Sequence, residues 1–388
     1  MSEPARRLRI AVLNRVFEST GGGAERYSIA LVEQLAQRHE IHVFAQQILH
    51  SACGVSYHRI SMPLRKPRWI NQLWYAFASW RATRSGFDIV HSHENSWHGQ
   101  IQTVHVLPVK HNLFQGRSGL QLALRWLKVL SSPRLISYLA LERLRFARHP
   151  ARRVVVTSPS LGQIMAASYP DTAAVTSVIT PGVSLPAAAT SAAEKSAARL
   201  LLGLPQSGCC LLFVGNDYRK KGLGPLLQAL RELPAGVVLA VVGQAAQMPL
   251  FRRQAESAGV ATRVFFLGPL QDVAPAYQAA DCLVHPTLED TFAMVVLEAM
   301  AHGLPVLVSS AAYCGISALL SDERNALILD QPRDAAQLAR LLSRLVDDAG
   351  LRQRLGQQAR LFASQHQWRD IALQQEALYF SALASAPD

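Results

Sequence analysis

The 388-residue sequence lacks any apolar run long enough to cross a bilayer. Its apolar runs, such as 211–214 and 237–242, have the length of a β-strand, whereas a membrane-spanning helix needs about 20 apolar residues. No apolar signal segment follows the opening MSEP. We therefore expect a cytoplasmic chain rather than a secreted or membrane-spanning one.

Cysteine is scarce as well. The five cysteines are odd in number and show no CxxC spacing: Cys53, Cys209, Cys210, Cys282 and Cys314. This pattern argues against a disulfide framework and against a structural zinc site.

Acidic residues are outnumbered, since 27 Asp and Glu against 39 Lys and Arg give a formal net charge of +12. The excess lies in residues 59–84, which contain no acid, and in residues 117–153, where Glu142 is the only acid. Such a basic first half fits an anionic membrane surface, a nucleic acid or a phosphorylated small substrate, and a solvated Arg-rich face is the alternative. No helix-turn-helix, zinc or single-strand-binding signature supports a nucleic acid, so we expect none as partner.

Short β-type runs alternate with amphipathic stretches, which predicts an α/β protein with parallel sheets and crossover helices. The predicted strands lie at 8–13, 41–45, 89–92, 102–104, 154–157, 209–214, 237–242, 264–267, 282–285 and 305–309, and the first-half helices at 24–37, 69–83 and 120–148. The small-residue stretch 186–192 predicts an interdomain link. We therefore expect a domain over 1–184 and a second domain over 185–366, and the family resemblance described below implies that a helix at about 367–385 rejoins the first domain.

The most specific segment is 285–306, HPTLEDTFAMVVLEAMAHGLPV. It predicts a strand end, a polar turn, a helix, a glycine stop and another strand. The free N–H groups and positive dipole end near 291–295 suit a phosphate or a sugar oxygen. Asp290 precedes this helix and Glu298 follows about two turns later; the alternative is an N-capping acid and a surface glutamate.

This segment resembles the signature of family 4 glycosyltransferases, retaining enzymes of the GT-B fold, in which an acid, seven residues and a Glu precede an Ala-Met-Ala-x-Gly-x-Pro-Val pattern. Asp290 and Glu298 keep that spacing, with Glu289 as the alternative first acid. Most members have Glu where Asp290 stands and Gly where Ala293 stands. The resemblance implies two Rossmann-like, doubly wound domains that face each other across a cleft, an N-terminal one for the acceptor and a C-terminal one for a nucleotide-sugar donor.

Other segments extend the resemblance over nearly the whole chain: the glycine loop 21–23, the strand and basic pair within 213–222, the turn 179–183 and the last helix. A flexible turn and a solvated charge run are the alternatives for the first two. The glycine loop lacks GxGxxG spacing, which argues against a dinucleotide-dependent oxidoreductase. The resemblance implies as donor-binding residues Gly22, Gly23, Gly215, Lys220, Lys221, Thr291, Phe292, Ala293, Met294, Val295 and Glu298.

Histidine is concentrated near two predicted strand ends, at His91, His93, His98 and His105. Their spacings match no zinc pattern and no acid pair completes one, so we expect neither a metal nor another cofactor. His105 resembles the family's strand-terminal histidine near the reacting sugar. The catalytic residues implied are thus His105, Lys221 and Asp290.

The mechanism implied is attack by the acceptor hydroxyl from the side that the phosphate leaves, with a phosphate oxygen taking the proton. The protein's task is then electrostatic, because Lys220, Lys221, the glycine-loop amides and the helix start would stabilise the departing diphosphate.

Residues 120–130 carry Leu, Trp and Val beside cations, a composition typical of an interfacial helix; the alternative is an amphipathic helix packed on the sheet. We expect Arg125, Trp126 and Lys128 to contact a membrane or the acceptor. Within the family, the chain resembles bacterial enzymes of the lipopolysaccharide-core glucosyltransferase I type. That implies a UDP-sugar donor, with glucose first and galactose or N-acetylglucosamine as the alternatives, and a glycan or glycolipid acceptor on the cytoplasmic face of the inner membrane. A GT-B epimerase or hydrolase is the alternative function.

Overall fold

The computed structural model describes residues 6–18, 22–64, 66–244 and 246–385. The chain divides into two compact units, one of residues up to Gly182 together with those from Trp368 onward, and one of Val183–Gln367. The division falls two residues before the predicted boundary, and the last helix belongs to the first unit.

The first unit is a parallel sheet covered by helices. Its strands are β1 (Arg9–Leu13), β2 (Val16–Phe17), β3 (Glu40–Ala45), β4 (Gln47–Ile48), β5 (Val55–Arg59), β6 (Ile89–Ser92), β7 (Ile101–Val104), β8 (Arg153–Val156) and β9 (Thr176–Val178). Its helices are α1 (Gly23–Leu35), α2 (Arg68–Thr83), α3 (Val109–Phe114), α4 (Gly119–Leu130), α5 (Pro133–Arg145), α6 (Pro159–Ser168) and the last helix, α14 (Trp368–Ala384). Over the described residues the main sheet has the order β5-β3-β1-β6-β7-β8-β9, while β2 pairs with β4.

The second unit repeats this design. Its strands are β10 (Cys209–Val214), β11 (Val237–Val242), β12 (Val264–Gly268), β13 (Cys282–His285), β14 (Val306–Ser309) and β15 (Leu327–Leu329), in the order β12-β11-β10-β13-β14-β15. Its helices are α7 (Ala192–Leu201), α8 (Leu223–Arg231), α9 (Met248–Ser257), α10 (Ala274–Ala279), α11 (Met294–Ala301), α12 (Ala335–Asp347) and α13 (Ala349–Ser364).

Strand order reverses once in each sheet, between β1 and β6 and between β10 and β13. The strands around these points are parallel and buried, as the continuous apolar run of β11 illustrates. Ligands of doubly wound folds bind beyond the carboxyl ends of the strands at such a reversal. The fold thus confirms the predicted α/β class with two Rossmann-like sheets. Ligand-binding residues are therefore expected in the loops after β1, β6, β10 and β13.

The prediction of one helix over 120–148 was wrong. Helix α4 ends at Leu130 and α5 begins at Pro133, with Ser132 in an extended conformation between them. Proline lacks an N–H and disfavours helical geometry in the residue before it, so a continuous helix cannot pass this point unstrained.

Candidate active site

The loops after β10 and β13 are packed together at the strand reversal of the second unit. Gly222 has a φ of +79°, and a Cβ atom there would lie 1.9 Å from the carbonyl oxygen of Pro286. The Leu288 amide also donates to the Lys220 carbonyl over 2.7 Å. Only glycine fits this close approach of the two backbones. The approach places the basic pair, Lys220 and Lys221, against the loop that precedes α11.

Lys221 forms an ion pair with Asp290 within this packed region. Its Nζ lies 2.5 Å from Asp290 Oδ2, and the two side chains are 22% and 16% exposed. His285, the last residue of β13, places Nε2 3.3 Å from the same oxygen, while the Phe292 amide donates to Oδ1 over 3.2 Å. Two of the three predicted catalytic residues, Lys221 and Asp290, are therefore in direct contact.

The charges of this cluster follow from its surroundings. Burial alone raises the pKa of the Asp290 carboxyl, but the hydrogen bond from His285 and the charge of Lys221 outweigh burial and hold that pKa well below its usual range. Burial lowers the pKa of His285, although Asp290 partly opposes the shift. At neutral pH the cluster is thus a carboxylate between an ammonium and a neutral imidazole.

Lys220 pairs with Glu289, the alternative first acid, over 2.9 Å. These side chains are 56% and 47% exposed, and an exposed ion pair contributes at most about 1 kcal/mol. Lys220 can therefore exchange Glu289 for a phosphate at little cost.

Helix α11 begins at Met294, and its N-cap, Ala293, has left-handed backbone angles of φ 74° and ψ 71°. The alternative that Asp290 caps this helix was wrong, because Ala293 occupies that position. The amides of Met294 and Val295 have no acceptor within the helix by their position in its first turn, whereas Asp290 already binds the Phe292 amide. Thr291 lies half-buried just before this start.

Glu298 lies half-buried on α11, and the buried Tyr277 hydroxyl donates to its Oε2 over 2.7 Å. The alternative of a freely exposed surface glutamate was therefore wrong. A carboxylate has two oxygens and about four lone-pair sites, so it can accept from a vicinal diol as well as from a tyrosine. Gly215, at the end of β10, allows the Lys221 stem to lie across it, since a Cβ atom there would come within 2.8 Å of Lys221 Cγ.

In the first unit, Gly22 caps α1 and Gly23 is its first residue, and both are exposed. Gly21 lies outside the described residues. The acid Glu25 occupies the first turn of α1, close enough that a Cβ atom on Gly22 would meet its Oε2 at 3.0 Å. The glycine loop thus presents a helix start whose positive end an acidic side chain already faces.

His105 is half-buried and belongs to a stack of aromatic rings. Its Nε2 lies 2.8 Å from His93 Nδ1, and the Tyr27 ring contacts it edge-on at 5.0 Å. Burial, with a smaller contribution from Arg145, lowers the pKa of His105 to about 3. His105 is therefore neutral at physiological pH and is a poor proton acceptor.

Two further histidines of this group, His91 and His98, lie in β6 and in the connection that follows it. His91 bonds Tyr379 and Thr103, each over 2.7 Å, and His98 lies in the connection before β7. Nowhere in the described ranges do three His, Cys, Asp or Glu side chains converge in a way that could hold a metal ion.

Helix α4 presents an apolar face to solvent. Leu124 and Leu127 are 57% and 65% exposed, and Trp126, stacked on Phe114 at 4.7 Å, is 47% exposed. The alternative of a helix whose apolar face packs on the sheet was therefore wrong. Arg125 is half-buried and Lys128 is exposed on the same helix. Among the described residues no helix combines the length and the hydropathy needed to span a bilayer.

The chain is a two-domain α/β protein made of two doubly wound units. Two lysine–carboxylate pairs and a helix start lie together at the strand reversal of the second unit. Two family models match the chain in succession: Glycosyltransferase Family 4 over residues 21–185 and Glycosyl transferases group 1 over residues 202–362. Together they span more than four fifths of the chain. The chain therefore belongs to these glycosyltransferases, which confirms the family that the 285–306 segment predicts.

Two similar relatives illustrate the range of the family. The D-inositol 3-phosphate glycosyltransferase of Xylanimonas cellulosilytica is 33% identical over 220 residues, which is 54% of this chain and 52% of that protein. The lipopolysaccharide glucosyltransferase WaaG of Escherichia coli K12 is 33% identical over 165 residues, 42% of this chain and 43% of that protein. The chain thus spans about half the length of the relatives it matches.

Solved structures establish the fold over almost the whole chain. The crystal structure of WaaG, a glycosyltransferase involved in lipopolysaccharide biosynthesis, matches with a TM-score of 0.80 at 22% identity and covers 95% of this chain and 98% of that one. Anabaena HepE in complex with UDP-glucose matches with a TM-score of 0.76 at 18% identity and covers 98% and 100%. The chain has the GT-B fold, as expected.

Sequence reasoning missed two residues of the site, His285 and Tyr277. His285 opens the segment 285–306, so its place at a strand end was a usable signal. Tyr277 lies on α10, 21 positions before its partner Glu298, and nothing in the local pattern indicates that contact.

Proposed function

We propose that the protein is a retaining, metal-independent hexosyltransferase that moves a hexose from a UDP-sugar to a hydroxyl of an envelope glycan or glycolipid, such as lipopolysaccharide core. The observation that carries the proposal is the cluster of Lys220, Lys221 and the α11 start at the β10/β13 reversal. It gathers two ammonium groups and free helix amides where a diphosphate would sit.

The donor site is assigned to the second unit. Lys221 and the first amides of α11 would bind the diphosphate, and Glu298 would accept hydrogen bonds from the ribose diol. UDP-glucose is the first donor to test, because the GT-B neighbour HepE was solved in complex with it. We assign catalysis to the stabilisation of the leaving diphosphate, because the neutral His105 does not take up a proton at physiological pH.

The acceptor is assigned to the basic first unit. The exposed apolar face of α4, with Lys128 beside it, fits attachment to the anionic cytoplasmic face of the inner membrane, where a glycolipid acceptor would lie. A phosphorylated small acceptor is the alternative, because one similar relative is a D-inositol 3-phosphate glycosyltransferase.

Titration of the purified chain with UDP, UDP-glucose and GDP-mannose by calorimetry, with and without EDTA, tests the donor assignment. We expect UDP or UDP-glucose to bind equally in EDTA and Glu298→Ala to abolish the tight binding. Absence of binding by every nucleotide sugar would overturn the proposal. Release of free glucose without an acceptor would instead identify a hydrolase.

A further inference from the structure

In the second unit, the apolar strand β13 ends in a polar residue. Strand β13 reads Cys-Leu-Val-His, and its last residue, His285, has a side chain that is 0% exposed. A polar group so deeply buried is destabilising unless a hydrogen bond compensates for its loss of water. The partner of His285 is Asp290 Oδ2, at 3.3 Å from Nε2.

The chemistry of this contact fixes the tautomer. An ionised carboxylate only accepts hydrogen bonds, so Nε2 carries the proton and Nδ1 is left as an acceptor. Nδ1 is buried and has no hydrogen-bond partner within the part of the chain that the structure describes. An apolar residue would avoid this unsatisfied atom, so stability alone does not account for a histidine here.

Hydrogen bonds to residues other than Lys221 fix both the backbone and the carboxylate of Asp290. Its amide donates to the Tyr313 carbonyl over 2.8 Å, and its own carbonyl accepts from the Gly315 amide over 2.9 Å. Its carboxylate accepts from His285 and from the Phe292 amide. The carboxylate is therefore a fixed anchor.

Lys221 is the flexible member of the cluster. Its stem crosses Gly215, and its ammonium reaches the same Oδ2 atom that His285 holds. A four-carbon stem retains several rotamers unless its charged end is anchored. The position of the ammonium thus depends on Asp290, and the orientation of Asp290 depends on His285.

We propose that His285 is a positioning residue that acts through Asp290 to set where the Lys221 ammonium meets the diphosphate of a nucleotide donor. This inference rests on the proposed function. It concerns a residue that would touch neither donor nor acceptor, so its effect must appear as coupling to Lys221.

The test compares the affinities of UDP and UMP, because only UDP carries the second phosphate. We expect Lys221→Ala and His285→Leu each to weaken UDP binding by about tenfold or more while UMP binding changes little. In the double variant the two losses should not multiply, because His285 acts through the lysine. His366→Leu is the matched control: it removes a histidine ring of the same unit that bonds the Phe362 carbonyl, and this variant should bind UDP like the wild type.

Two polar variants keep the test valid if His285→Leu does not fold. His285→Gln places an amide N–H at the reach of Nε2 and should restore UDP affinity, whereas the shorter His285→Asn cannot reach Asp290 and should not. Equal UDP affinity in Gln, Asn and wild type, or fully multiplicative losses in the double variant, would overturn the inference. Failure of the wild type to bind any nucleotide would overturn the proposed function, and the inference with it.

Discussion

The exposed face of α4 gives a prediction whose size can be worked from the structure. Changing Leu124 and Leu127 together to glutamate removes two side chains that are 57% and 65% exposed on one face of the helix. Neither change touches the sheet core, so the free energy of unfolding should change by about 0.5 kcal/mol or less per site. The effect should fall on membrane attachment alone.

Full burial of a leucine side chain contributes about 1.5–3 kcal/mol. Since each leucine is already partly covered, its insertion into the interface contributes about 1–2 kcal/mol. Two such losses, with about 1 kcal/mol of repulsion from each glutamate near an anionic surface, exceed about 3 kcal/mol. We therefore expect partitioning to anionic vesicles to fall by about 10²-fold or more.

Partitioning to vesicles is measured by flotation with phosphatidylcholine vesicles, with and without phosphatidylglycerol, at low and at physiological ionic strength. The wild type should float only with anionic vesicles, and more weakly as salt rises. The matched control is Leu200→Glu with Leu201→Glu on α7, where both leucines are likewise exposed, at 76% and 73%. Wild-type flotation by the α4 variant, or equal losses in both variants, would refute the assignment of α4 to the membrane.

Three further outcomes follow from the second unit. Ala293→Gly should raise the free energy of unfolding by about 1 kcal/mol in urea titrations, because it relieves a left-handed alanine; an unchanged midpoint would refute the strain. Asp281→Asn should lower the free energy of unfolding by about 3 kcal/mol, because the Asp281 carboxylate bonds both Lys195 and the buried Arg199. A loss of less than about 1 kcal/mol would contradict a stabilising role for these two ion pairs. The pKa of Asp290 in the folded protein lies below the value of about 3.9 that an aspartate has in the unfolded chain. The ionised carboxylate therefore stabilises the fold above about pH 3.9, and this stabilisation is lost as the pH falls through the pKa of the folded state. Stability of Asp290→Asn against pH should therefore converge with that of the wild type only below about pH 4, and a constant difference would disprove the shift.

Buried elements of the fold were predictable from the sequence. Strands β10, β11 and β13 coincide with their predicted ranges, because continuous apolar runs between turn residues have few other solutions. The edge strand β5 was missed, since its residues are mostly exposed and its pattern is polar. Its pairing with β3 depends on tertiary contact rather than on local preference.

The site was predictable only in part, for a related reason. Spacing within one segment indicated Asp290 and Glu298, and the resemblance added Lys221. The ion pair between Lys221 and Asp290 joins residues 69 positions apart, and only the parallel neighbours β10 and β13 bring them together. Ala293 carried a usable signal, because the family resemblance implies glycine at this position, and glycine readily adopts the left-handed conformation that the structure shows.

The central claim is that Lys221 stabilises the diphosphate that leaves a nucleotide sugar. The most direct test is transfer of labelled glucose from UDP-glucose to lipopolysaccharide-core acceptor by the wild type and by Lys221→Ala, in EDTA, with the fold of each checked by circular dichroism. We predict metal-independent turnover that falls by about 10²–10³-fold in the variant. Wild-type turnover by a folded Lys221→Ala protein would contradict the account.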